Sequence, residues 1–524
     1  MAKRRPLIDG GRRLMAWADA ACNRIYGWRF NPLYQTGTVA VLMFVILAAT
    51  GVYLLLFYRI GDPYGSVERI TDQWWAGQWI RGLHRYASAG LVVAVVLHAA
   101  RMLLQDRHWG SRALAWISGL VLTFLCAVVA WTGYVMVWDG QALVLAQEGA
   151  QLLDALPIFA EPVQRMFTGE SDVPPAFFFL ILFLHIALPL GLALLLWIHV
   201  GRTARPKLLP PKKLSWAIVG VLLGVSILYP VTMGEPADVL RLTERIQLDV
   251  TYNWWLPVVS EVPPWLAWLG GGAFAALLVL VPYWLRPTEE EVPQPSQVDA
   301  HRCTGCWQCS LDCPWEAITM VERSDGRAAH LAVVDPSICA RCGICAGSCA
   351  PMGVGPPEAT GRDQLTDVRT FLAQVEPGPA DVVVVGCLRG GGGLSAEEAQ
   401  KELTRQGIHV YPVRCAGSVH TSVVEFLLKG GAGGVLVAAC PPRDCWHREG
   451  TKWAAARLFH DREAELQARV DRRRVAMTAA SAGEGREVRQ AALELRDQVR
   501  DLMEPEEAEA AFDLIRECER EEVG

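Results

Sequence analysis

The sequence predicts a multidomain chain: a six-helix transmembrane bundle, then a small cysteine-laddered domain, then a parallel α/β domain. Three observations carry this. Apolar runs at residues 38–58, 83–104, 113–137, 176–200, 214–233 and 265–285 are each close to the roughly 20 residues a bilayer core requires, and none follows them. Two cysteine runs with the same internal spacing come next. Past residue 380, short β-branched runs alternate with helical ones, the mark of strands joined by helices. A chain of 524 residues also exceeds one ordinary domain.

The charges orient the membrane half. Lys3, Arg4, Arg5, Arg12 and Arg13 precede the first run, Arg107 and Arg112 separate the second and third, and Arg202, Arg205, Lys207, Lys212 and Lys213 separate the fourth and fifth. Excess Lys and Arg mark the cytoplasmic side, so both termini and everything past Arg286 are expected in the cytoplasm of a bacterial or archaeal cell. The segment 1–37 is basic and amphipathic, lacks a short apolar core ending in a cleavage site, and is expected to lie along the membrane surface. A net charge of −6 gives no support for nucleic-acid binding. Thirteen of the fifteen cysteines fall past Arg286 in the cytoplasmic half, where thiols stay reduced, so metal ligation is a better reading than a disulfide scaffold. Cys22, Cys126 and Cys518 fit no ligand spacing.

Two apolar runs carry histidines at the same interval. His84 and His98 are fourteen residues apart, as are His185 and His199. That interval returns each pair to one helix face, roughly 21 Å apart along the axis. A membrane histidine can simply hydrogen-bond a neighbouring helix, yet intramembrane ionisable residues are functional by default. Two helices with this interval supply two facing His pairs, the arrangement needed for two haems held on both axial faces. Gly37 and Gly51 in the first run, and Gly119 and Gly133 in the third, repeat the interval, and glycine permits close approach of a flat macrocycle.

On these residues, and on "ATGVYLLLFYR", "IRGLHRYAS" and "WTGYVMVWDG", the stretch from about 20 to 285 resembles the cytochrome b family of Rieske/cytochrome b complexes. The resemblance implies a dihaem bundle over residues 38–285, with haem b held by His84 and His185 on the outer side and a second haem b by His98 and His199 on the inner side. It also implies that Arg85 helps neutralise a haem propionate; a snorkelling interface arginine is the alternative. The sequence departs from the family at Asn253, where the Pro-Glu-Trp-Tyr motif has its proton-accepting Glu, at Val137, usually proline, and at Gln35, where some members attach an extra haem through cysteine. Tyr134, Trp138, Trp254 and Trp255 are candidates for a quinone pocket, or else belong to an interfacial aromatic belt.

A proline-rich acidic linker, 286–300, leads to "CTGCWQCSLDCPW" and "CARCGICAGSCAPMG" within the domain 301–355. The doubled C-x2-C-x2-C-x3-C spacing is that of a two-[4Fe-4S] bacterial ferredoxin, in which the fourth Cys of each run ligates the other cluster. One cluster is assigned to Cys303, Cys306, Cys309 and Cys349, and the other to Cys339, Cys342, Cys345 and Cys313. A zinc module is the alternative.

A second breaker-rich linker, 356–380, precedes an α/β domain at 381–482 and a polar helical tail at 483–524. Cys387, Cys415 and Cys440 end three successive strands and Cys445 follows one loop later, at the sheet edge where α/β folds bind ligands. Four thiols there suit a [2Fe-2S] cluster, with zinc as runner-up, and the region resembles the small iron-sulfur (delta) subunits of methyl-viologen-reducing hydrogenases and heterodisulfide reductases. Gly390–Gly393 lacks the Lys-Ser/Thr sequel of a phosphate loop and is a weak candidate for one.

Haems and clusters form a series of one-electron carriers, and no strand-borne G-x-G-x-x-G accompanies them. The expectation is an electron-transfer subunit of a quinone-linked oxidoreductase, carrying electrons between quinone or quinol and a cytoplasmic flavin-containing, heterodisulfide-reductase-like subunit. The alternatives are a quinol oxidase core with a Rieske-type partner and a ferredoxin output, against which Asn253 argues, and a transmembrane wire without a quinone site.

Overall fold

The computed structural model describes residues 6–158, 160–167, 173–201, 205–241, 249, 251–288, 292–394, 397–460, 462 and 465–503. Lys3, Arg4, Arg5, Arg202 and Cys518 lie outside the described residues, as does the tail from 504 onward. The chain forms two compact units, one from Gln35 to Arg286 and one joining the segment up to Tyr34 with the chain from Pro287 onward.

In the first unit five described helices are long and apolar enough to cross a membrane: Pro32–Phe57, Gly77–Leu104, Gly110–Val135, Pro175–Gly201 and Pro264–Trp284. Their outward residues, among them Leu56, Val96, Phe124 and Trp197, are exposed, as a lipid-facing surface requires. The sixth expected span, 214–233, forms a shorter helix, Lys212–Leu228, of 17 residues. It stops where it does because Pro230 excludes Tyr229 from the helical region. Asp62 and Asp139 cap two short helices between the spans, accepting hydrogen bonds from the backbone N–H of Gly65 at 3.1 Å and of Ala142 at 2.9 Å.

In the second unit the cysteine-laddered domain has internal two-fold character. Two five-residue helices, Gln308–Asp312 and Ile344–Ser348, each begin after a left-handed residue, Trp307 and Gly343. The antiparallel hairpin Ile318–Glu322 with His330–Val334, and the pairing of Gln297–Val298 with Val354–Gly355, close around them. The end of the expected linker 286–300 is thus a strand of this domain.

The α/β domain is a four-stranded parallel sheet in the spatial order Ile408–Val413, Val382–Cys387, Gly434–Ala439, Val475–Ala479. Successive residues of a strand point to opposite faces. Val383 and Val385 pack with Val423, Val424 and Leu427, and Val382 and Val384 with Val488, Ala492 and Leu495. Both faces are covered, so the strand can be a run of valines rather than an alternation. The expected linker 356–380 is mostly a helix, Gly361–Val375. A capping box between Thr360 and Asp363 starts it, and Leu365, Val368, Leu372 and Val375 form its apolar stripe, with Val368 fully buried. The preceding glycines and prolines hid that periodicity. Likewise Gly485–Asp501, expected in the tail, covers one face of the sheet through Val488, Ala492, Leu495 and Val499.

The N-terminal helix, Pro6–Phe30, belongs to this same unit. Asn23 Nδ2 donates to Glu484 Oε2 at 2.9 Å in a buried contact, and Asn31 Nδ2 donates to Asn23 Oδ1 at 2.8 Å. One face is therefore held by protein, while Leu14, Trp17 and Ile25 stay exposed.

Candidate redox sites

His84 and His98 stand on the helix Gly77–Leu104, and His185 and His199 on Pro175–Gly201. The His84 and His185 rings lie with centroids 6.4 Å apart. With metal–imidazole bonds of about 2 Å, one metal ion fits between them. His98 and His199 lie within electrostatic reach of each other.

A hydroxyl holds the Nδ1 of every one of these rings. Thr50 Oγ1 lies 2.9 Å from His84, Thr132 Oγ1 2.9 Å from His185, Ser118 Oγ 3.0 Å from His199 and Thr36 Oγ1 3.4 Å from His98. His185 Nδ1 is also 3.0 Å from the Val129 carbonyl oxygen, which only an Nδ1–H can satisfy. A ring engaged through Nδ1 presents Nε2 as its lone-pair nitrogen, the usual arrangement of a metal-binding histidine. The donor set therefore fits axial ligation of a haem.

The four predicted glycines follow those hydroxyls directly, as Thr36-Gly37, Thr50-Gly51, Ser118-Gly119 and Thr132-Gly133. A Cβ on Gly133 or Gly37 would stand 2.9 Å from Cε1 of His185 or His98, on Gly119 3.3 Å from His199 and on Gly51 3.5 Å from His84. The glycines thus leave space at the imidazole rings themselves. Sequence reasoning found the glycines but missed the hydroxyls, although these share the fourteen-residue interval.

Beside His84, Arg85 does not simply snorkel. Its guanidinium pairs with Asp249, donates to Tyr134 Oη at 2.6 Å, and lies over the Tyr134 and Tyr252 rings at 5.2 and 5.5 Å. Tyr134 also donates to Asp249, and Tyr252 is hydrogen-bonded to Ser88. Burial alone would raise the Asp249 carboxyl, but hydrogen bonds from Thr251 and Tyr134, with the Arg85 charge, hold it below its ordinary value. Asn253 is fully buried and accepts from the Asp249 N–H. A carboxylate thus stands by Tyr134 although Asn253 is not one, and its position four residues upstream gave no motif to find it by. Of the other quinone-pocket candidates, Trp138 packs edge-on against Phe178 at 4.7 Å, Trp255 Nε1 donates to the Tyr252 carbonyl at 2.7 Å, and Trp254 is exposed.

Seven of the eight ladder cysteines, all but Cys306, share one small core with Trp315, Ile318 and Ala332. A pocket is lined by Cys303, Cys306, Cys309 and Cys349, drawn from both runs. Burial pushes up the thiols of Cys309, Cys313, Cys342, Cys345 and Cys349, Cys345 to about 12, and neighbouring sulfurs add to it: Cys313 and Cys339 act on Cys345, and Cys306 and Cys303 on Cys349. Buried thiols in such company ionise together only when cations compensate them, which suits ligands of iron.

In the α/β domain the order reverses between the strands Val382–Cys387 and Gly434–Ala439, a topological switch point. Cys387 and Cys440 meet there with Sγ atoms 3.5 Å apart. Hydrogen bonding with Cys440 lowers Cys387 and Cys445, while the same bonds and burial raise Cys440. A Cβ on Gly450 would stand 2.6 Å from Cys415 Sγ and 3.4 Å from Cys445 Sγ, and one on Gly390 3.0 Å from Cys440 Sγ. Gly450, unremarked in the sequence, and Gly390, read there only as part of a phosphate-loop candidate, make room for the sulfurs of Cys415, Cys445 and Cys440. Among the described residues, no three His, Cys, Asp or Glu side chains close on one point as ligands of a single metal ion. The phosphate-loop candidate does not hold: the backbone N–H groups of Gly390, Gly391, Gly392 and Gly393 donate to Cys387, Ala480, Ser481 and Gly390 carbonyls.

Comparison with known proteins agrees with this division. Residues 24–234 match the family model "Cytochrome b/b6/petB", residues 302–353 the "4Fe-4S dicluster domain", and residues 382–503 "Methyl-viologen-reducing hydrogenase, delta subunit". A menaquinol:cytochrome c reductase cytochrome b subunit of Bacillus subtilis (strain 168) is 28% identical over 143 residues, 27% of this chain and 64% of that protein. The chain thus spans less than two thirds of the relative's length. A solved chain of a hyperthermophilic respiratory Complex III aligns with 20% identity and a TM-score of 0.40, covering 48% of this chain and 75% of that one. The chain carries a cytochrome b domain, a 4Fe-4S dicluster domain and a hydrogenase delta-subunit-like domain in series.

Proposed function

We propose that this chain is the membrane electron-transfer subunit of a quinone-linked oxidoreductase complex, passing electrons between quinone or quinol and a cytoplasmic flavin-containing, heterodisulfide-reductase-like partner. The observation that carries this is the set of four histidines whose Nδ1 atoms are all held by hydroxyls. In this reading His84 with His185, and His98 with His199, are the axial ligands of two b haems. Cys303, Cys306, Cys309 and Cys349 hold one [4Fe-4S] cluster, Cys339, Cys342, Cys345 and Cys313 the other, and Cys387, Cys415, Cys440 and Cys445 a [2Fe-2S] cluster. Together these groups supply one-electron chemistry at successive sites. Lys212–Leu228, about 26 Å long at 1.5 Å per residue, is the sixth span, at the lower limit for a crossing helix. The count of six and the basic loops put both termini and the iron-sulfur domains in the cytoplasm.

At the outer end, Tyr134 and Tyr252 border a quinol site in which Asp249 accepts the proton that Asn253 cannot. Arg85 keeps that carboxylate in place. This support for an outer site also keeps open the second reading, a quinol oxidase core with a Rieske-type partner.

The test is the purified full-length protein with haem and iron quantified, mixed anaerobically with a short-chain naphthoquinol. Two b haems per chain that redden on quinol addition, with one pair of spectral bands absent in His98→Ala, are expected. Fewer than two haems, or haem reduction indifferent to quinol, would sink the proposal. Zinc at the C-terminal four-cysteine site, in place of iron, would remove the last carrier.

A further inference from the structure

Arg457 is the largest fully buried side chain of the molecule's described residues, at 1% exposure, and the cysteine spacings and strand ends do not explain it. It lies on the helix Gly450–Phe459 of the α/β domain, yet its bonds run into the dicluster domain. Nη1 donates to Ser348 Oγ at 2.7 Å and to the Ile344 carbonyl at 3.3 Å, both on the short helix that carries Cys345. Nη2 donates to the Gly417 carbonyl, two residues past Cys415. Ser348 Oγ in turn donates to Asp312 Oδ2 at 2.7 Å, beside Cys313.

The backbones are pressed together around this side chain. A Cβ on Gly347 would stand 2.8 Å from Arg457 Nη2 and 2.9 Å from the Gly417 carbonyl oxygen. Ile344, Cys415 and Trp453 form one small buried cluster against which Cys342 packs. A ligand residue of one candidate cluster thus touches the same buried apolar plug as a ligand residue of another. Burial lowers the guanidinium to about 10, so it is charged at neutral pH, and Cys415 and Cys345 are among the groups that act on it. The Arg457 Nε–H has no hydrogen-bond partner among the described residues.

Resting on the function proposed above, we propose that Arg457 is the positioning residue of an electron junction between the two domains. It ties the Cys345 helix to the Cys415 loop and places one positive charge beside both cysteine sets. With iron-sulfur clusters held by the two cysteine sets, a single electron would cross here, with no bond formed or broken and no proton moved. A buried cation favours the more negatively charged, reduced state of a nearby cluster, so its charge raises the potential on both sides of the junction.

The test is an EPR-monitored redox titration of the full-length, cluster-loaded protein with Arg457→Met and Arg457→Lys. In Arg457→Met, the midpoints of the C-terminal cluster and of one [4Fe-4S] cluster are expected to shift downward together, with loss of the magnetic coupling between them. Arg457→Lys, which keeps the charge and loses the fork, is expected to keep the midpoints and weaken the coupling. Unchanged midpoints and coupling in Arg457→Met at full iron content overturn the proposal, as does an identical response of the two variants, which marks a structural role only. If Arg457→Met does not accumulate, Ser348→Ala cuts the link to Asp312 while keeping the charge: weaker coupling supports the junction, and wild-type coupling overturns it. A wild-type protein with no paramagnetic centre at the C-terminal cysteines would instead refute the electron-transfer reading itself, and the junction with it.

Discussion

Around the histidines, a hydroxyl and a glycine act as a unit: one orients the ring, the other leaves it room. Thr132→Val removes the hydroxyl at His185 Nδ1, and such supporting contacts are worth about 10- to 100-fold in metal affinity. Haem titration of the apoprotein should show that loss at one site only. Gly133→Ala puts a methyl 2.9 Å from the His185 ring and should deplete the same haem, whereas Gly51→Ala, at an ordinary 3.5 Å from His84, should keep it. Equal haem content in the two alanine variants would count against the packing argument. Asp249→Asn should leave both haems bound and slow haem reduction by naphthoquinol roughly 100-fold, the scale of a lost general base, with Asp249→Glu retaining most of the rate. Stopped-flow absorbance gives the answer, and an unchanged rate removes Asp249 from the proton path. Of this chemistry the sequence displayed the candidate ligands, because a fourteen-residue interval is visible along one chain. It concealed Asp249 and Arg457, whose partners are distant in sequence.

At the level of elements, two helices depend on their ends. The Thr360–Asp363 capping box starts Gly361–Val375, and Thr360→Ala should cost about 1 kcal/mol in the denaturant stability of the cysteine-bearing unit. A loss below the error of the measurement would mean the helix is held by Val368 and its neighbours alone. Lys212–Leu228 ends two residues before Pro230, and its 17 residues are at the lower limit for the sixth span proposed above. A periplasmic-active reporter fused after Pro230 should be active, and one fused before Lys212 inactive; matching activities would return the helix to one side of the membrane. Strand and helix types were legible here from periodicity. Boundaries were not, since glycine and proline signal a break even where a capped helix begins immediately after them, as at Gly361.

Across the whole molecule, each redox domain's core and its candidate metal site coincide. Four of the eight ladder cysteines, Cys309, Cys313, Cys345 and Cys349, are buried core residues of the dicluster domain, so bound iron would supply cohesion that its few apolar side chains do not. Stripping iron with a chelator under oxidising conditions should expose residues 297–355 to protease while the α/β sheet, with its valine core on both faces, persists. Protection of both domains after iron loss would show that the dicluster domain folds without metal. By itself the sequence determined the order of domains, the membrane runs and the identity of the candidate ligands, because spacing and hydropathy are properties of the covalent chain. Only the tertiary structure decided that hydroxyls seat the histidines, that Asp249 stands by Tyr134, that the N-terminal helix packs into the cysteine-bearing unit, and that Arg457 joins two cysteine sets. Each of these is a contact between residues remote in sequence, and it exists only once burial has brought a charge or a polar group to the partner it must have.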